Sequence, residues 1–466
     1  MTGGHHTGEG ALFSARQLAV IAWVTATSVV FFNIFIKFVN RQLLGNPYGT
    51  PVYWPVSIFV FRLGRLRLDW AIPMLVAAVG VFAVTAWYLR EERTRLAPVV
   101  VAGFVLLVCS NLLHGFTHGF VVPLSTREGY YQLAATIVDP LAFVRTYEAN
   151  QLSYVVHART HPPGTVLTFT LLDWVFGSRP LVTTAIAAIS LPTSAVLVYR
   201  LVGTYYERSV AQYTTLLFVL LPSVQIFYLA TIDAIIATLL LAAVYFFTRE
   251  SRWWSLATLA CLLVAASQLF LFVFVLPILA GIAVFRREKL LPLVGIGVGL
   301  VACYLVVKFG LGYDYLHSLS IASEQQNPNG FMLLADPSDY VFSRFEDIVE
   351  LGLFFTPFLC LLAARGLRDL WGDLRPEGRW WLTATREREP FVIAAAAVVG
   401  FCAMLVAGVY HTGETARGAL YIYPYLCLPV AAAVHRVRPN FRDRWLLVGA
   451  VFGQTLLLQL LGSYLW

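Results

Sequence analysis

A chain of 466 residues that is 59% hydrophobic and only 13% charged, with a mean hydropathy of +0.72, is too apolar along its whole length for a water-soluble globule. It reads as an all-α polytopic membrane protein, with the lipid bilayer as its first partner. Its 33 Lys and Arg against 26 Asp and Glu leave a formal charge of +7, but the basic residues sit in short connections between apolar runs; that is an orientation signal rather than a nucleic-acid footprint, and no nucleic-acid partner is expected.

In chain order, residues 1–10 are polar and rich in Gly and His, and no small-residue cleavage site follows, so the first apolar helix is expected to be retained. Segments approaching or reaching the ~17–25 residues needed to span lie at 16–39, 69–89, 97–114, 181–199, 209–230, 233–248, 254–270, 270–285, 291–311, 347–365, 390–410, 418–435 and 445–465. The expectation is about 11–13 transmembrane helices with outer-face juxtamembrane helices and loops. Segment 51–61 is short and interrupted by Pro51 and Pro55, and reads as interfacial or re-entrant. Residues 1–96 form N-terminal helices and a linker, 97–435 a transmembrane core, and 436–466 a C-terminal transmembrane helix.

Connections rich in Arg and Lys at 90–95, 200–208, 249–252, 286–289, 365–388 and 435–444 are assigned to the cytoplasm. The other side then receives outer loops 115–180, 313–345 and 411–418, together with the turn at Asp233. Only an even number of crossings fits between Arg95 and Arg200, so the apolar run 163–177 becomes a juxtamembrane or half-inserted outer helix. Arg62, Arg65 and Arg67 break the charge rule if 16–39 and 69–89 both span. The loop 313–345 is long, polar and rich in turn residues, which marks a lid, a binding loop or a disordered segment. The six cysteines stand singly in apolar runs without a C-x-x-C pair, and read as small buried hydrophobes.

Polar chemistry concentrates on the outer side. Ionisable groups beside bilayer-length apolar runs are costly unless they serve a hydrated site. Four clusters stand out: Glu128 with Tyr130 and Tyr131, the run from His157 through Arg159 and His161 to Pro162-Pro163, the turn Thr231-Ile232-Asp233-Ala234, and Glu414 with Arg417. Each has a bland alternative. Glu128 can be a solvated loop acid, Asp233 a helix-start residue, His161 a turn residue, and Glu414 and Arg417 a simple i, i+3 pair. His157 and His161 have the spacing of a helical zinc pair, but Pro162-Pro163 end any helix there.

A carboxylate after an early span, two aromatics, a basic residue before Pro-Pro, T-x-D-A at the outer end of a later helix, and E-x-x-R before a late apolar helix: this order resembles the GT-C glycosyltransferases. The branch it is most similar to is that of the protein O-mannosyltransferases and lipid A aminoarabinose transferases, over roughly residues 97–435. The resemblance implies a multi-pass cell-membrane enzyme. It would move a sugar from a polyprenyl-phosphate donor to a lipid, glycan or protein acceptor on the non-cytoplasmic face, with inversion. Carried over, it makes Glu128 the preferred catalytic base, with Asp233 at the second acidic position, His161 near the donor phosphate and Arg417 the late basic residue after Glu414. The chemistry of the reaction adds Asp233 as a second catalytic carboxylate and Arg159 and Arg344 as donor phosphate contacts, and Tyr130, Tyr131, Asp139, Gln325, His411 and Glu414 are the candidate substrate contacts. His161 stands where the aminoarabinose branch commonly has Lys, which brings a pH dependence. Arg127 stands where the family often has the first acid of an Asp-Glu pair; no cofactor is assigned, and a divalent metal ion stays open. The chemistry asks for these types: a base for the acceptor hydroxyl, and cations or donors for the leaving phosphate oxygen.

Two other classes compete. A transporter or lipid flippase would carry ionisable groups at mid-span, where the candidates are Lys37 and Lys308. A polysaccharide polymerase or ligase would use a similar outer site with a diphosphate-linked donor.

Overall fold

A computed structural model describes residues 12–38, 66–90, 95–126, 129–374, 388–410, 413–462 and 464, and every regular element among them is helical. In chain order these are α1 (Ala15–Phe38), α2 (Leu68–Arg90), α3 (Ala97–Asn111), α4 (Tyr130–Ala134), α5 (Pro140–Asn150), α6 (Val156–Arg159), α7 (Gly164–Phe176) and α8 (Arg179–Val202). Then follow α9 (Arg208–Val219), α10 (Pro222–Phe227), α11 (Ile232–Phe247), α12 (Arg252–Gln268), α13 (Leu276–Phe285), α14 (Leu290–Leu311), α15 (Tyr315–Gln326) and α16 (Met332–Ala335). The chain closes with α17 (Pro337–Phe355), α18 (Pro357–Leu374), α19 (Glu389–Val406), α20 (Thr415–Gly418), α21 (Tyr423–Val437) and α22 (Phe441–Leu461).

Among the described residues, six helical stretches are long and apolar enough to cross a bilayer: Leu68–Arg90, Ala97–His114, Arg179–Val202, Arg287–Leu311, Glu389–Val406 and Phe441–Leu461. A seventh is reached if Tyr340–Phe355 and Pro357–Gly372 count as one span. That pair is bent by 96°, so the expected straight span 347–365 is corrected. The cause is local. Pro357 disfavours the helical region for the residue before it, and Thr356 takes a φ of 71°. The apolar helices Gly164–Phe176, Ile232–Phe247 and Phe272–Phe285 are shorter. Segment 209–230 breaks between Val219 and Pro222. The expected re-entrant piece 51–61, with Arg62 and Arg65, lies outside the described residues. Loop 313–345 is largely helical, built from α15, α16 and the start of α17.

Lipid removes any hydrophobic gain from helix pairing, so this bundle is held by close packing and internal hydrogen bonds. Gly366 shows the first: a Cβ there would lie 1.8 Å from the Pro429 carbonyl oxygen, so α18 and α21 cross as closely as they do only without a side chain. The break between α9 and α10 shows the second. Thr455 Oγ1 donates to Leu220 O at 2.7 Å and Asn111 Nδ2 to Gln225 O at 2.7 Å, while Gln225 Nε2 donates to Gly103 O at 3.1 Å. α11 packs on α8 and α12, α13 on α19, and α18 on α21.

The basic connections gather at one end. Gln212 donates to Arg95 O at 3.1 Å, Tyr213 to Arg444 O at 2.9 Å and Arg286 to Thr248 O at 3.1 Å; His435 pairs with Glu207 at 3.7 Å, and Arg286 with Glu389. The opposite end carries α4 to α7, α15, α16, α20 and the start of α11. The 13-residue α7 is too short to cross, and it leaves Leu171 and Trp174 exposed at 58% and 59%.

Candidate functional site

The site is assembled around the turn between α6 and α7. Pro162 and Pro163 stop α6 and set the direction of α7, whose Gly164 lies against α12: a Cβ there would sit 2.3 Å from Ser267 O. Thr165 Oγ1 donates to Gln268 O at 2.7 Å and fixes the same junction. From below, the fully buried Tyr147 on α5 donates its hydroxyl to Ala158 O and, at 2.6 Å, to His161 O. Gln151 adds a bond to Arg159 O at 2.8 Å. The turn that carries His161 is thus tied at three carbonyls.

Tyr130 stands over this turn. Its ring lies 5.4 Å from that of His161, edge on, 5.9 Å from His157, and stacks on Phe169 of α7 at 5.8 Å. Burial, then the charge of Asp233, hold its phenol well above the ordinary range, so it acts as a neutral hydroxyl. Asp233 sits in the first turn of α11, whose N-cap Thr231 accepts from Ala234 N at 3.3 Å. Arg417 on α20 lies between two acids: Nε is 3.6 Å from Asp233 Oδ2 and Nη2 is 3.6 Å from Glu414 Oε2. The charges of Arg417, Asp233 and Glu414 all reach Tyr130, and that of Arg417 reaches His161. Five predicted residues, Tyr130, His161, Asp233, Glu414 and Arg417, therefore meet in one half-buried cluster.

His161 is held by its own turn. Its Nδ1 is 3.1 Å from His157 O, a contact only a protonated Nδ1 can make, so the neutral ring keeps its lone pair on Nε2. Burial first, then His157 and Arg417, push its pKa down to about 3. With Nδ1 turned to the backbone, Nε2 is the ring nitrogen left to meet a ligand, and burial disfavours the charged form of the ring.

Several predicted residues lie elsewhere. Tyr131 points away from Tyr130, donating to Asp173 with its ring 5.6 Å from the Arg179 guanidinium. Asp139 is an exposed N-cap of α5, accepting from Leu141 N at 2.9 Å and Ala142 N at 3.1 Å, and Gln325 is exposed near the end of α15. Arg159 is two residues from His161, and its buried Nε has no hydrogen-bond partner among the described residues. Arg344 is committed behind the site, with Nε 3.1 Å from Asp347, Nη1 donating to Leu405 O at 3.0 Å and Nη2 donating to Tyr410 O. Glu128 and His411 lie outside the described residues, as does the Lys37 side chain. Lys308 pairs with Asp314 at 2.6 Å, at the C-terminal end of α14. Among the described residues no three His, Cys, Asp or Glu side chains could hold a metal ion, and the cation between Asp233 and Glu414 is Arg417 itself.

Sequence reasoning missed Tyr147 and Gln151, which look like ordinary interfacial residues, and the acids Glu346, Asp347 and Glu350 on α17, each at most 3% exposed. For the acids a signal existed. Phe345-Glu346-Asp347-Ile348-Val349-Glu350 puts three carboxylates into an otherwise apolar stretch.

No protein-family model matches this sequence, and no curated protein matches it. Among solved structures it is similar to ArnT from Cupriavidus metallidurans, in a crystal structure with undecaprenyl phosphate bound, at a TM-score of 0.40 and 15% identity. The match covers 79% of this chain and spans 60% of that one; at this TM-score the functional reading rests on the site's own geometry.

Proposed function

We propose that the protein is a membrane glycosyltransferase that moves a sugar from a polyprenyl-phosphate donor to an acceptor hydroxyl on the non-cytoplasmic face, with inversion. One observation carries this: Tyr130, His161, Asp233, Glu414 and Arg417 come from four separate stretches of chain and meet at the end of the bundle opposite the basic connections. Those connections belong in the cytoplasm by the positive-inside rule, so the site faces the other compartment.

The acceptor hydroxyl loses its proton to Asp233 or to Glu128, which lies two residues before Tyr130 in the chain. Its oxygen attacks the anomeric carbon from the side opposite the phosphate. The phosphate leaves as an anion, so no acid is needed to protonate it. Arg417 offsets the charge that grows on the leaving oxygen, and the Tyr130 hydroxyl and His161 Nε2 are placed to hold sugar hydroxyls.

The test is incubation of the purified protein with radiolabelled polyprenyl-monophosphate sugars and membrane extract. Transfer of label to an acceptor supports the reading. Movement of the intact donor across liposomes without transfer would establish a flippase, and elongation from a diphosphate-linked donor a polymerase or ligase; either replaces the proposal.

A further inference from the structure

We infer that Asp347 and Glu350 are positioning residues that hold α20, and with it Arg417 and Glu414, at the site. A helix of four residues, Thr415–Gly418, has almost no stability of its own, because nucleation fixes several dihedrals for a single hydrogen bond. Its geometry must come from tertiary contacts, and α17 supplies them. Thr415 Oγ1 donates to Asp347 Oδ1, and Ala416 N donates to Glu350 Oε1 at 3.3 Å. Both acids are buried, at 0% and 3% exposure, three residues apart on one helix face.

The same face fixes the chain on the other side of residues 411–412. The second Asp347 oxygen lies 3.1 Å from Arg344 Nε, and Arg344 in turn receives Leu405 O at 3.0 Å and Tyr410 O as acceptors. Asp347 is thus the joint between the end of α19 and the start of α20. Glu350 also lies within electrostatic reach of Arg417. Buried carboxylates add little net stability compared with apolar residues of the same size, so their position is better accounted for by the geometry they impose. The 96° bend after Phe355 is what lets α17 stop beneath α20 while α18 continues to the basic end.

The activity arm of the test rests on the glycosyl-transfer reading; the exchange arm does not. Thr415→Val keeps the side-chain shape and removes the donor to Asp347, and Glu350→Ala removes the acceptor for Ala416 N. Both should speed hydrogen exchange in a peptide covering 413–420 and lower kcat about tenfold with donor KM changed little, since a buried hydrogen bond that holds α20 is lost. Glu350→Gln keeps an acceptor oxygen and should restore most of the exchange protection. In an Arg417→Lys background Thr415→Val should cost much less than alone, because both act through the same guanidinium. Unchanged exchange in Thr415→Val overturns the anchoring. Faster exchange with wild-type turnover, or full additivity with Arg417→Lys, overturns the positioning role. If the wild type transfers no sugar from any polyprenyl-phosphate donor, the functional reading fails and exchange alone decides whether these acids hold α20.

Discussion

Arg417→Ala separates two things that one guanidinium does. Its first role is electrostatic balance, with Asp233 and Glu414 each 3.6 Å away and the arginine side chain only 15% exposed. At that distance and an effective dielectric of ~20, one pair of unit charges interacts by roughly 4–5 kcal/mol before desolvation is subtracted. Breaking a buried pair by removing one partner costs about 3–5 kcal/mol. Partial exposure and proton uptake by the orphaned carboxylate lower this, so a destabilisation of about 1–3 kcal/mol is expected. The second role is chemical. Removing a preorganised group from developing charge costs ~10²–10³-fold in kcat. Arg417→Ala should therefore show a lowered midpoint in thermal unfolding in detergent and a fall in turnover of that size with the radiolabelled donor. Adding Asp233→Asn should recover much of the midpoint, since the orphaned charge is gone, and none of the turnover. Recovery of turnover in the double variant, or near wild-type turnover in the single one, would refute the assignment of Arg417 to the leaving phosphate.

Three further outcomes follow from the geometry. Because folding holds His161 near pH 3 against an ordinary 6.5, the unfolded chain binds more protons between those values, so this contribution is fully present above about pH 6.5 and stability falls as pH drops through the window; His161→Gln should flatten that part of the acid unfolding curve, and His161→Lys should lose turnover, since Arg417 and burial oppose a charge there. Asp139→Ala removes the acceptor for two backbone N–H groups of α5 and should cost about 1 kcal/mol in unfolding while leaving turnover at the wild-type value. Gly366→Ala forces α18 off α21, where a Cβ would meet Pro429 O at 1.8 Å, and should destabilise by about 3 kcal/mol or more, read as a lowered midpoint or loss of folded protein from the membrane fraction.

The sequence by itself determined the class, most of the apolar helices and the grouping of the basic connections. Bilayer-length apolar runs leave no alternative to helices, because lipid offers no partner for backbone groups, and the basic connections that share one end in space were readable as Arg and Lys clusters between spans. One local role was legible too, His161 before Pro162 as part of a turn, whereas Asp139, expected at the substrate, is seen as the N-cap of α5 only in the structure. Tertiary structure decided everything that depends on which side chains face each other. Tyr130 and Tyr131 are neighbours in sequence, yet one joins the site and the other turns to Asp173, because adjacent residues on a helix point about 100° apart. His161 was readable as a basic residue, but burial and the nearby guanidinium keep it neutral, and neither is a property of its own segment. The straight span expected over 347–365 gave way to a bend at Thr356, and two carboxylates of the apolar-looking segment before it, Asp347 and Glu350, meet α20. Apolar periodicity says that a stretch is in the membrane; where its few polar groups find partners is fixed only when the helices pack.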